Sequence, residues 1–311
     1  MEVSNTMSAN QTGLRGVLKL NEPLSRHTSW RVGGPAVHYF QPADIDDLAV
    51  YLSQLPADEQ IYWVGLGSNL LVRDGGFKGS IICTSGVMNN IRFMDKYQVE
   101  VEAGVACPKV ARRCAKQGLK NAEFLSGIPG TMGGALAMNA GAFGGETWQI
   151  VKSVTTIDRQ GVLHQRSPDE FEIAYRHVSG VAGEWFVSVI LQLEPGDTHA
   201  LQEKNKQLLA KRGASQPTQL PNAGSVFRNP DGDYAARLIE QAGLKGSCIG
   251  GACVSDKHAN FIVNTGTATA TDIENLILKV AETVKRLHKI ELVREVCIVG
   301  DALEQQGLEE N

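Results

Sequence analysis

The amino-acid sequence predicts an α+β fold, and three observations lead to it. Its 311 residues, of which 42% are hydrophobic and 21% charged, are enough to form two or three compact units. Strand-like and helix-like stretches are mixed without regular alternation, which favours α+β domains over a doubly wound parallel sheet. The 33 glycines are clustered. Clustered glycine indicates backbone that turns sharply or approaches a ligand closely.

The first two thirds of the chain are predicted to be rich in strands. Asp44 precedes an apolar periodic stretch and predicts the start of a helix. Pro108 predicts the first turn of a second helix, which continues to residue 118. Short apolar or alternating runs predict the strands, and residues 152–167 predict a hairpin. The single strands are predicted at residues 37–42, 61–64, 79–85, 97–104 and 185–195.

The last third is predicted to contain three helices, at residues 199–215, 233–243 and 271–290, and strands at 251–255, 260–266 and 291–300. The third helix is the best defined, because six apolar residues form one stripe at helical spacing. Thr271 and Glu274 have the spacing of a capping box at its start. The stripe residues are Ile273, Leu276, Ile277, Val280, Val284 and Leu287.

We place a domain boundary in residues 196–212, where charge rises before a stretch rich in Pro, Gln and Asn. This predicts one folded region over residues 19–198 and a second over 199–301. Residues 1–18 are predicted to be a disordered tail, and residues 302–311 an acidic one.

Composition argues against several classes of function. The net charge of −4 offers no basic field for nucleic acid. No apolar run approaches the roughly 20 residues that span a bilayer, and the N-terminus lacks the pattern of a secretory signal, so we expect a cytoplasmic protein without membrane insertion. The six cysteines lack metal-ligand spacing, so we expect buried free thiols, with neither a disulfide framework nor a metal site. Oligomeric state cannot be read from the sequence.

Two glycine-rich stretches are candidate ligand loops. In the first, Gly65-Leu66-Gly67-Ser68-Asn69 follows a predicted strand, but Leu70 stands where the Rossmann fingerprint needs a third glycine. A phosphate-binding P-loop is absent as well. The loop could still aim several N–H groups at an anion, although a tight turn explains it equally well.

The second stretch spans residues 123–146 and is both glycine-rich and apolar. Pro129 stiffens a turn that has glycines on both sides, and Asn139-Ala140-Gly141 forms a second turn. A structureless loop of this length is normally functional or disordered, and the apolar content argues against disorder. Together, the two stretches fit a ligand with an anionic diphosphate and a flat ring system.

Five sequence strings, in order, resemble the UDP-N-acetylenolpyruvoylglucosamine reductase (MurB) family. They are GLGSNLLVRDGGFKG, LSGIPGTMGGALAMNAGAF, YRHV, PNAGSVFRNP and ELVREV, and the similarity covers roughly residues 20–301. The resemblance implies a two-part FAD-binding region of the vanillyl-alcohol-oxidase (PCMH) type, at about 19–85 and 86–198, followed by a smaller C-terminal α+β substrate domain. No counterpart of the extra tyrosine-bearing loop of some members is present, so the chain resembles the shorter branch.

The resemblance also implies the cofactors and the residues that hold them. FAD would be the bound cofactor, and NADPH the hydride donor. The implied FAD-binding residues are Gly65, Gly67, Ser68, Asn69, Leu70, Gly127, Ile128, Pro129, Gly130, Thr131, Gly133, Gly134, Asn139, Ala140, Gly141 and Val189.

The implied reaction is the reduction of UDP-N-acetylglucosamine enolpyruvate in two stages. NADPH reduces the flavin, and hydride from flavin N5 then adds to the terminal vinyl carbon of the substrate. By match to the family motifs, Arg176 braces the substrate carboxylate and Glu295 donates a hydrogen bond to it as a neutral acid. Ser225 is the general acid that protonates the adjacent carbon. The protein's own tasks are orientation, charge stabilisation and one proton.

Taken without the family, each catalytic residue has an ordinary explanation. Arg176 would be a solvated strand arginine and Ser225 a turn cap. Strand alternation puts Glu295 on one apolar face and Arg294 on another, so the pattern cannot say which face is buried.

Substrate contacts are predicted for four polar residues near these positions, although each is equally explained as a polar loop residue. They are Arg212, Asn222, Arg228 and Asn229. His258 is interpreted as a structural hydrogen-bonding residue.

Two other functions stay open at this point. One is a different flavin oxidase of the same FAD-binding architecture. The other is a non-catalytic protein that binds a UDP-sugar or another nucleotide.

Overall fold

The computed structural model describes the backbone of residues 5–6 and residues 13–303. The helices are α1 Ile45–Gln54, α2 Cys107–Lys116, α3 Met132–Ala137, α4 Thr198–Ser215, α5 Ala235–Gln241 and α6 Ala270–His288. Short 3-10 turns lie at Leu24–Arg26, Glu123–Gly127, Thr147–Ile150 and Pro168–Glu170. The strands are β1 Asn5–Thr6, β2 Val17–Pro23, β3 Pro35–Gln41, β4 Ile61–Val64, β5 Leu70–Val72, β6 Phe77–Cys83, β7 Ile91–Phe93, β8 Gln98–Glu102, β9 Leu119–Lys120, β10 Gly141–Ala142, β11 Gly145–Glu146, β12 Val151–Asp158, β13 Leu163–Arg166, β14 Glu172–Ala174, β15 His177–Ser179, β16 Glu184–Gln192, β17 Glu194–Pro195, β18 Cys248–Ile249, β19 Ala252–Val254, β20 Ile262–Asn264 and β21 Cys297–Val299.

The first sheet has the strand order β1-β2-β3-β6-β4, with β3, β6 and β4 parallel. Helix α1 packs on it through Leu48 and Leu52, which join Phe40 in one core. The predicted start of α1 is confirmed, because the Asp44 side chain accepts a hydrogen bond from Asp47 N at 2.9 Å. The capping oxygen satisfies an amide that has no partner within the helix.

The predicted N-terminal tail is too long. Strand β2 pairs with β3 from Val17 onward, and Leu14 and Leu18 are buried in the core beside α1. Burying these two leucines favours order in a segment whose composition alone resembles a tail. The rest of that predicted tail, apart from the backbone of residues 5–6, and the acidic tail after residue 303 lie outside the described residues.

The second sheet is antiparallel, with the order β13-β12-β16-β8-β7. Its core combines strand residues such as Val99 with Val110 of α2 and Met132 of α3. The glycine-rich stretch at 123–146 is an ordered part of this unit, and it contains a 3-10 turn, helix α3 and the β10–β11 hairpin. The predicted order of this stretch is confirmed, and apolar side chains such as Leu125 and Leu136 are buried in the core.

The C-terminal unit is a three-stranded antiparallel sheet, β18-β19-β20, whose core includes residues of α5 and α6. Five of the six predicted stripe residues of α6 are buried, but Leu287, in the last turn, is 49% exposed. The predicted boundary at residue 199 stays a prediction. Helix α4 begins at Thr198 and contacts the preceding region, because Asn205 Nδ2 donates to Ala111 O at 3.2 Å.

Two predictions about the C-terminal unit are wrong. The last strand is only Cys297–Val299, and it leaves the unit to pair in parallel with β5 of the first region. Cys248 and Cys253 are not free thiols, because they are cross-strand neighbours in β18 and β19 and form a disulfide. Antiparallel pairing brings their side chains together, which the spacing along the chain did not reveal. None of the described helices is long and apolar enough to cross a membrane.

Helix α6 begins two residues earlier than its predicted capping box requires. The N-cap is Thr269, which forms the box with Asp272. Glu274, the predicted partner, instead binds the guanidinium of Arg73 at 2.8 and 2.9 Å. Asp74 accepts hydrogen bonds from Ala270 N at 3.0 Å and from Thr271 N at 2.8 Å, and from the Thr271 hydroxyl as well. The start of α6 is thus tied to the loop after β5.

We expect Asp74→Ala to lower the free energy of unfolding by about 1–2 kcal/mol, the usual cost of losing a helix cap. The reason is that two N–H groups in the first turn of α6 lose their acceptor. The measurement is the melting temperature of the purified protein. Asp231→Ala, at an exposed loop position, is the matched control, and an equal change in both variants would contradict the capping role.

Candidate active site

A cavity of about 560 Å³ lies where the two glycine-rich stretches meet the C-terminal unit. Residues 65–70 and 127–131 line it, as do the three predicted catalytic residues, Arg176, Ser225 and Glu295. These residues are distant in sequence and come from three different structural units. Their convergence on one cavity of ligand-binding size makes this the candidate active site.

The two glycine loops contact each other directly. A Cβ atom built on Gly65 would lie 2.2 Å from Thr131 Oγ1, and one built on Gly130 would lie 3.4 Å from Ser68 Oγ. Gly67 has a φ of +60°, and a Cβ there would lie 2.1 Å from the carbonyl oxygen of His27. Glycine is therefore required at position 65 for the two loops to approach this closely, and at position 67 for the first loop to pass His27.

Thr131 offers a polar group that no described residue satisfies. The residue is 2% exposed, and its Oγ1 is buried with no hydrogen-bond partner. It occupies the N-cap position of α3, yet its side chain does not cap the helix. An unpaired buried hydroxyl costs about 1–3 kcal/mol. A polar ligand in the cavity would remove that cost, so the loops fit the diphosphate of the predicted flavin.

Arg176 lies at the tip of the β14–β15 hairpin, with a φ of +55°. Its Nε donates to Glu295 Oε1 at 3.1 Å, its Nη2 to Gly141 O at 2.8 Å and its Nη1 to Asn139 O at 3.4 Å. The side chain is 16% exposed. Arg176 is therefore not a solvated strand arginine, because its guanidinium is held at the cavity.

Glu295 is subject to opposing electrostatic effects. Burial raises the pKa of its carboxyl, while the positive charges of Arg176 and Arg228 lower it. The net direction is upward, because desolvation of the carboxylate is the largest effect. The 3.1 Å contact with Arg176 is compatible with either form, since the carbonyl oxygen of a neutral acid also accepts a hydrogen bond. The site thus favours the protonated form more than an exposed glutamate would.

The loop that carries Ser225 is shaped by its neighbours. Gly224 has a φ of +74°, and its N–H donates to Asn222 Oδ1 at 3.0 Å. The N–H of Glu295 donates to Val226 O at 2.8 Å, which ties the Ser225 loop to the segment of Glu295. It is Asn222 that closes the turn, so the ordinary explanation of Ser225 as a turn cap finds no support.

Two family models match the chain. The model described as an FAD binding domain matches residues 36–166, and that of the UDP-N-acetylenolpyruvoylglucosamine reductase C-terminal domain matches residues 216–299. The reductase of Alkalilimnicola ehrlichii is 56% identical over 296 residues, which are 95% of this chain and 99% of that protein. The reductase of Legionella pneumophila strain Corby is 55% identical over 303 residues, 97% of this chain and 98% of that one.

The chain belongs to the UDP-N-acetylenolpyruvoylglucosamine reductase family. The crystal structure of the reductase (MurB) from Thermus caldophilus is similar, with a TM-score of 0.79 and 30% identity over 92% of this chain and all of that one. The predicted α+β fold, with an FAD-binding region and a C-terminal domain, is confirmed.

Four residues of this chain are predicted to contact the substrate, and of these four Arg212 alone lines the cavity. Burial lowers the pKa of its guanidinium, and its Nε donates to Gln216 Oε1 at 3.0 Å. Asn222 is engaged in its own loop, and Asn229 accepts from Ala235 N at 3.1 Å at the start of α5. Arg228 does not line the wall, but its charge acts on Glu295.

Three predicted cofactor residues also lie off the cavity wall. Val189 is fully buried within the second sheet, and Gly133 packs against Ala103, to whose carbonyl its N–H donates at 2.9 Å. The Asn139 side chain points to neighbouring segments rather than to the cavity. Gly133 and Asn139 are each next to a residue that lines the cavity, whereas Val189 is not. The other predicted cofactor residues line the cavity, at positions 65, 67–70, 127–131, 134, 140 and 141.

The sequence analysis missed several residues of the cavity wall, namely Tyr62, Trp63, Phe143, Gln216 and Cys297. A signal existed for some of them, since Trp63 lies in the strand just before the first loop and Cys297 shares an alternation face with Glu295. The predicted hydrogen-bonding role of the His258 ring is not supported. Within the described part of the chain its Nδ1 is buried without a hydrogen-bond partner, its ring contacts the Phe261 ring edge-on, and burial lowers its pKa.

Proposed function

We propose that this chain catalyses the NADPH-dependent reduction of UDP-N-acetylglucosamine enolpyruvate to UDP-N-acetylmuramate, with FAD as cofactor, in peptidoglycan precursor synthesis. The observation that carries the proposal is that Arg176, Ser225 and Glu295 share one cavity with both glycine loops. The proposal is supported by the UDP-N-acetylenolpyruvoylglucosamine reductases that are more than half identical to this chain over nearly its whole length.

The glycine loops would hold FAD, which when bound accepts hydride from NADPH and supplies it to the substrate. In this proposal the backbone of residues 65–70 and the Thr131 hydroxyl receive the diphosphate, because both line the cavity where the two loops touch. The cavity wall also carries apolar surface for the ring system, including Ile128.

Arg176 and Glu295 would stabilise the charge that develops on the substrate. Addition of hydride to the terminal vinyl carbon converts the enolpyruvyl group to an enediolate. Arg176 uses three of its N–H groups to bind Glu295, Gly141 and Asn139, and the remaining N–H groups can brace the substrate carboxylate. A protonated Glu295 donates a further hydrogen bond. Fixed donors of this kind stabilise a transition state without reorganisation.

Ser225 would then deliver the proton. The enediolate is strongly basic, so a hydroxyl held close to the carbon next to the carboxylate can protonate it. This forms the C–H bond of the lactyl ether and leaves a serine alkoxide that is reprotonated from solvent. Arg212, at the same cavity, is the candidate contact for the diphosphate of the substrate.

Turnover of the purified protein with NADPH and the enolpyruvyl sugar nucleotide tests the proposal. We expect NADPH consumption that depends on the enolpyruvyl compound, together with flavin absorbance. Rapid reduction of oxygen with no response to the enolpyruvyl compound would favour another flavin oxidase. A colourless protein that does not take up added FAD would favour a UDP-sugar binding protein. We further propose a cytoplasmic location and a requirement in cell division, both testable by depletion and microscopy in the source cell.

The rate at which the enolpyruvyl substrate reoxidises the reduced enzyme should fall as the pH rises through the raised pKa of the Glu295 carboxyl. The carboxyl is protonated below that pKa and loses its donated hydrogen bond above it. The measurement is single-turnover reoxidation of the reduced enzyme by the enolpyruvyl substrate across a pH series. Glu295→Gln should spare flavin reduction by NADPH, slow reoxidation, and remove this descending limb. A Gln variant that keeps the wild-type rate and pH profile would contradict the role.

A further inference from the structure

Asn139 is a buried residue whose hydrogen bonds link several segments behind the candidate active site. It is 2% exposed and has a φ of +43°, a conformation that asparagine tolerates better than most residues. Its Nδ2 donates to Glu146 Oε2 at 3.0 Å and to Ala174 O at 3.1 Å, and its Oδ1 accepts from Trp148 N at 3.2 Å. The side chain therefore joins the end of α3 to the β10–β11 hairpin, to a 3-10 turn and to β14.

One of these contacts reaches the segment of Arg176. Ala174 lies two residues before Arg176 in the β14–β15 hairpin, and the carbonyl of Asn139 itself accepts from Arg176 Nη1 at 3.4 Å. Asn139 thus touches the hairpin at its backbone and at the guanidinium.

Among the described residues, hydrophobic packing holds the hairpin only at its base, where Val178 contacts the core of the second sheet. All three residues of β14 are exposed, as are Tyr175 and His177 on either side of Arg176. The tip must also keep Arg176 in the left-handed region, which is unfavourable for a residue with a side chain. Polar contacts, rather than hydrophobic burial, therefore decide where the guanidinium lies.

We infer that Asn139 is a positioning residue for Arg176, because the hydrogen bond from its side chain to Ala174 O fixes the hairpin tip at the cavity. The inference rests on the proposed function for its kinetic consequence. A displacement of about 1 Å in a group that orients the substrate can cost on the order of 10²-fold in rate. Flavin reduction by NADPH, which does not use Arg176, should not share this cost.

The test uses Asn139→Asp in the FAD-loaded enzyme. Aspartate keeps an acceptor for Trp148 N and tolerates the left-handed backbone, but it cannot donate to Glu146 or Ala174. We expect reoxidation by the enolpyruvyl substrate to slow about 10–100-fold, with flavin reduction changed less than about 2-fold. Asn139→Gly, which also tolerates this φ and lacks the side chain, should act in the same direction if the aspartate variant folds poorly.

Asn121→Asp is the matched control. Asn121 also has a positive φ, of 83°, and it lies near a glutamate, Glu194, whose pKa it helps to lower, but it does not line the candidate active site. This variant should leave both half-reactions unchanged.

A double substitution tests whether Asn139→Asp slows reoxidation by displacing Arg176. In an Arg176→Ala background, Asn139→Asp should slow reoxidation by less than about 2-fold, because the group it positions is gone. Full additivity of the two substitutions, or equal slowing of both half-reactions by Asn139→Asp alone, would overturn the inference.

Amide hydrogen exchange tests the same contact without any substrate. Exchange of residues 172–179 should be faster in Asn139→Asp than in the wild type and unchanged in Asn121→Asp. An unaltered hairpin would overturn the inference. A wild-type enzyme that shows the expected exchange but does not react with the enolpyruvyl substrate would instead refute the proposed function.

Discussion

Gly65→Ala is expected to yield a protein that purifies almost free of FAD. The added methyl group would lie 2.2 Å from Thr131 Oγ1 and 3.0 Å from Thr131 Cγ2, so the two glycine loops would have to separate. Overpacking of this kind costs about 1–3 kcal/mol, which corresponds to a weakening of FAD binding by roughly 10–100-fold. The measurement is titration of the apoprotein with FAD, followed by flavin fluorescence and by the flavin content of the purified protein.

Gly213→Ala is the control for that substitution. Gly213 lies in α4, and a Cβ there would meet nothing within 4 Å. Alanine also has the better helix propensity, so this variant should keep its full flavin content. If Gly65→Ala retained FAD as tightly as Gly213→Ala, the contact between the loops would not be part of the cofactor site.

Ser225→Ala should slow reoxidation of the reduced enzyme by the enolpyruvyl substrate about 10²–10⁴-fold, the usual contribution of a general acid. Flavin reduction by NADPH should survive, because it needs no proton from this loop. The backbone of the loop should also survive, since Gly224 and Asn222 shape the turn without the serine hydroxyl. Stopped-flow absorbance of the flavin measures the two half-reactions separately.

The comparison variant is Ser215→Ala. The Ser215 hydroxyl donates to Lys211 O at 3.0 Å near the end of α4 and does not line the cavity. Both half-reactions should proceed at the wild-type rate in this variant. Equal slowing of reduction and reoxidation by Ser225→Ala would remove Ser225 from the role of proton donor and assign the loss to a disturbed cofactor site.

Local structure was predictable wherever one short pattern had one solution. The strand over residues 61–64 and the helix that starts after Asp44 follow from apolar spacing and a capping oxygen, and both are confirmed. The pattern at α6 had two solutions, because Thr269 and Thr271 each precede an acidic residue by three positions. Thr269 is the N-cap. Glu274 does not form a capping box with Thr271 because it binds Arg73, which lies 201 residues away in the sequence.

The α+β class and the two glycine loops follow from residue type and short spacing, and the three candidate catalytic residues follow from the family resemblance. The tertiary structure decides which of these groups meet. Arg176 and Glu295 are 119 residues apart in the chain and are hydrogen-bonded to each other in the cavity. Alternation offered two equal faces, and the structure buries Leu292 and Val296, on the Arg294 side, in the C-terminal core, while Glu295 meets Arg176 in the cavity. Burial of that kind depends on contacts between distant segments, and no local pattern encodes it.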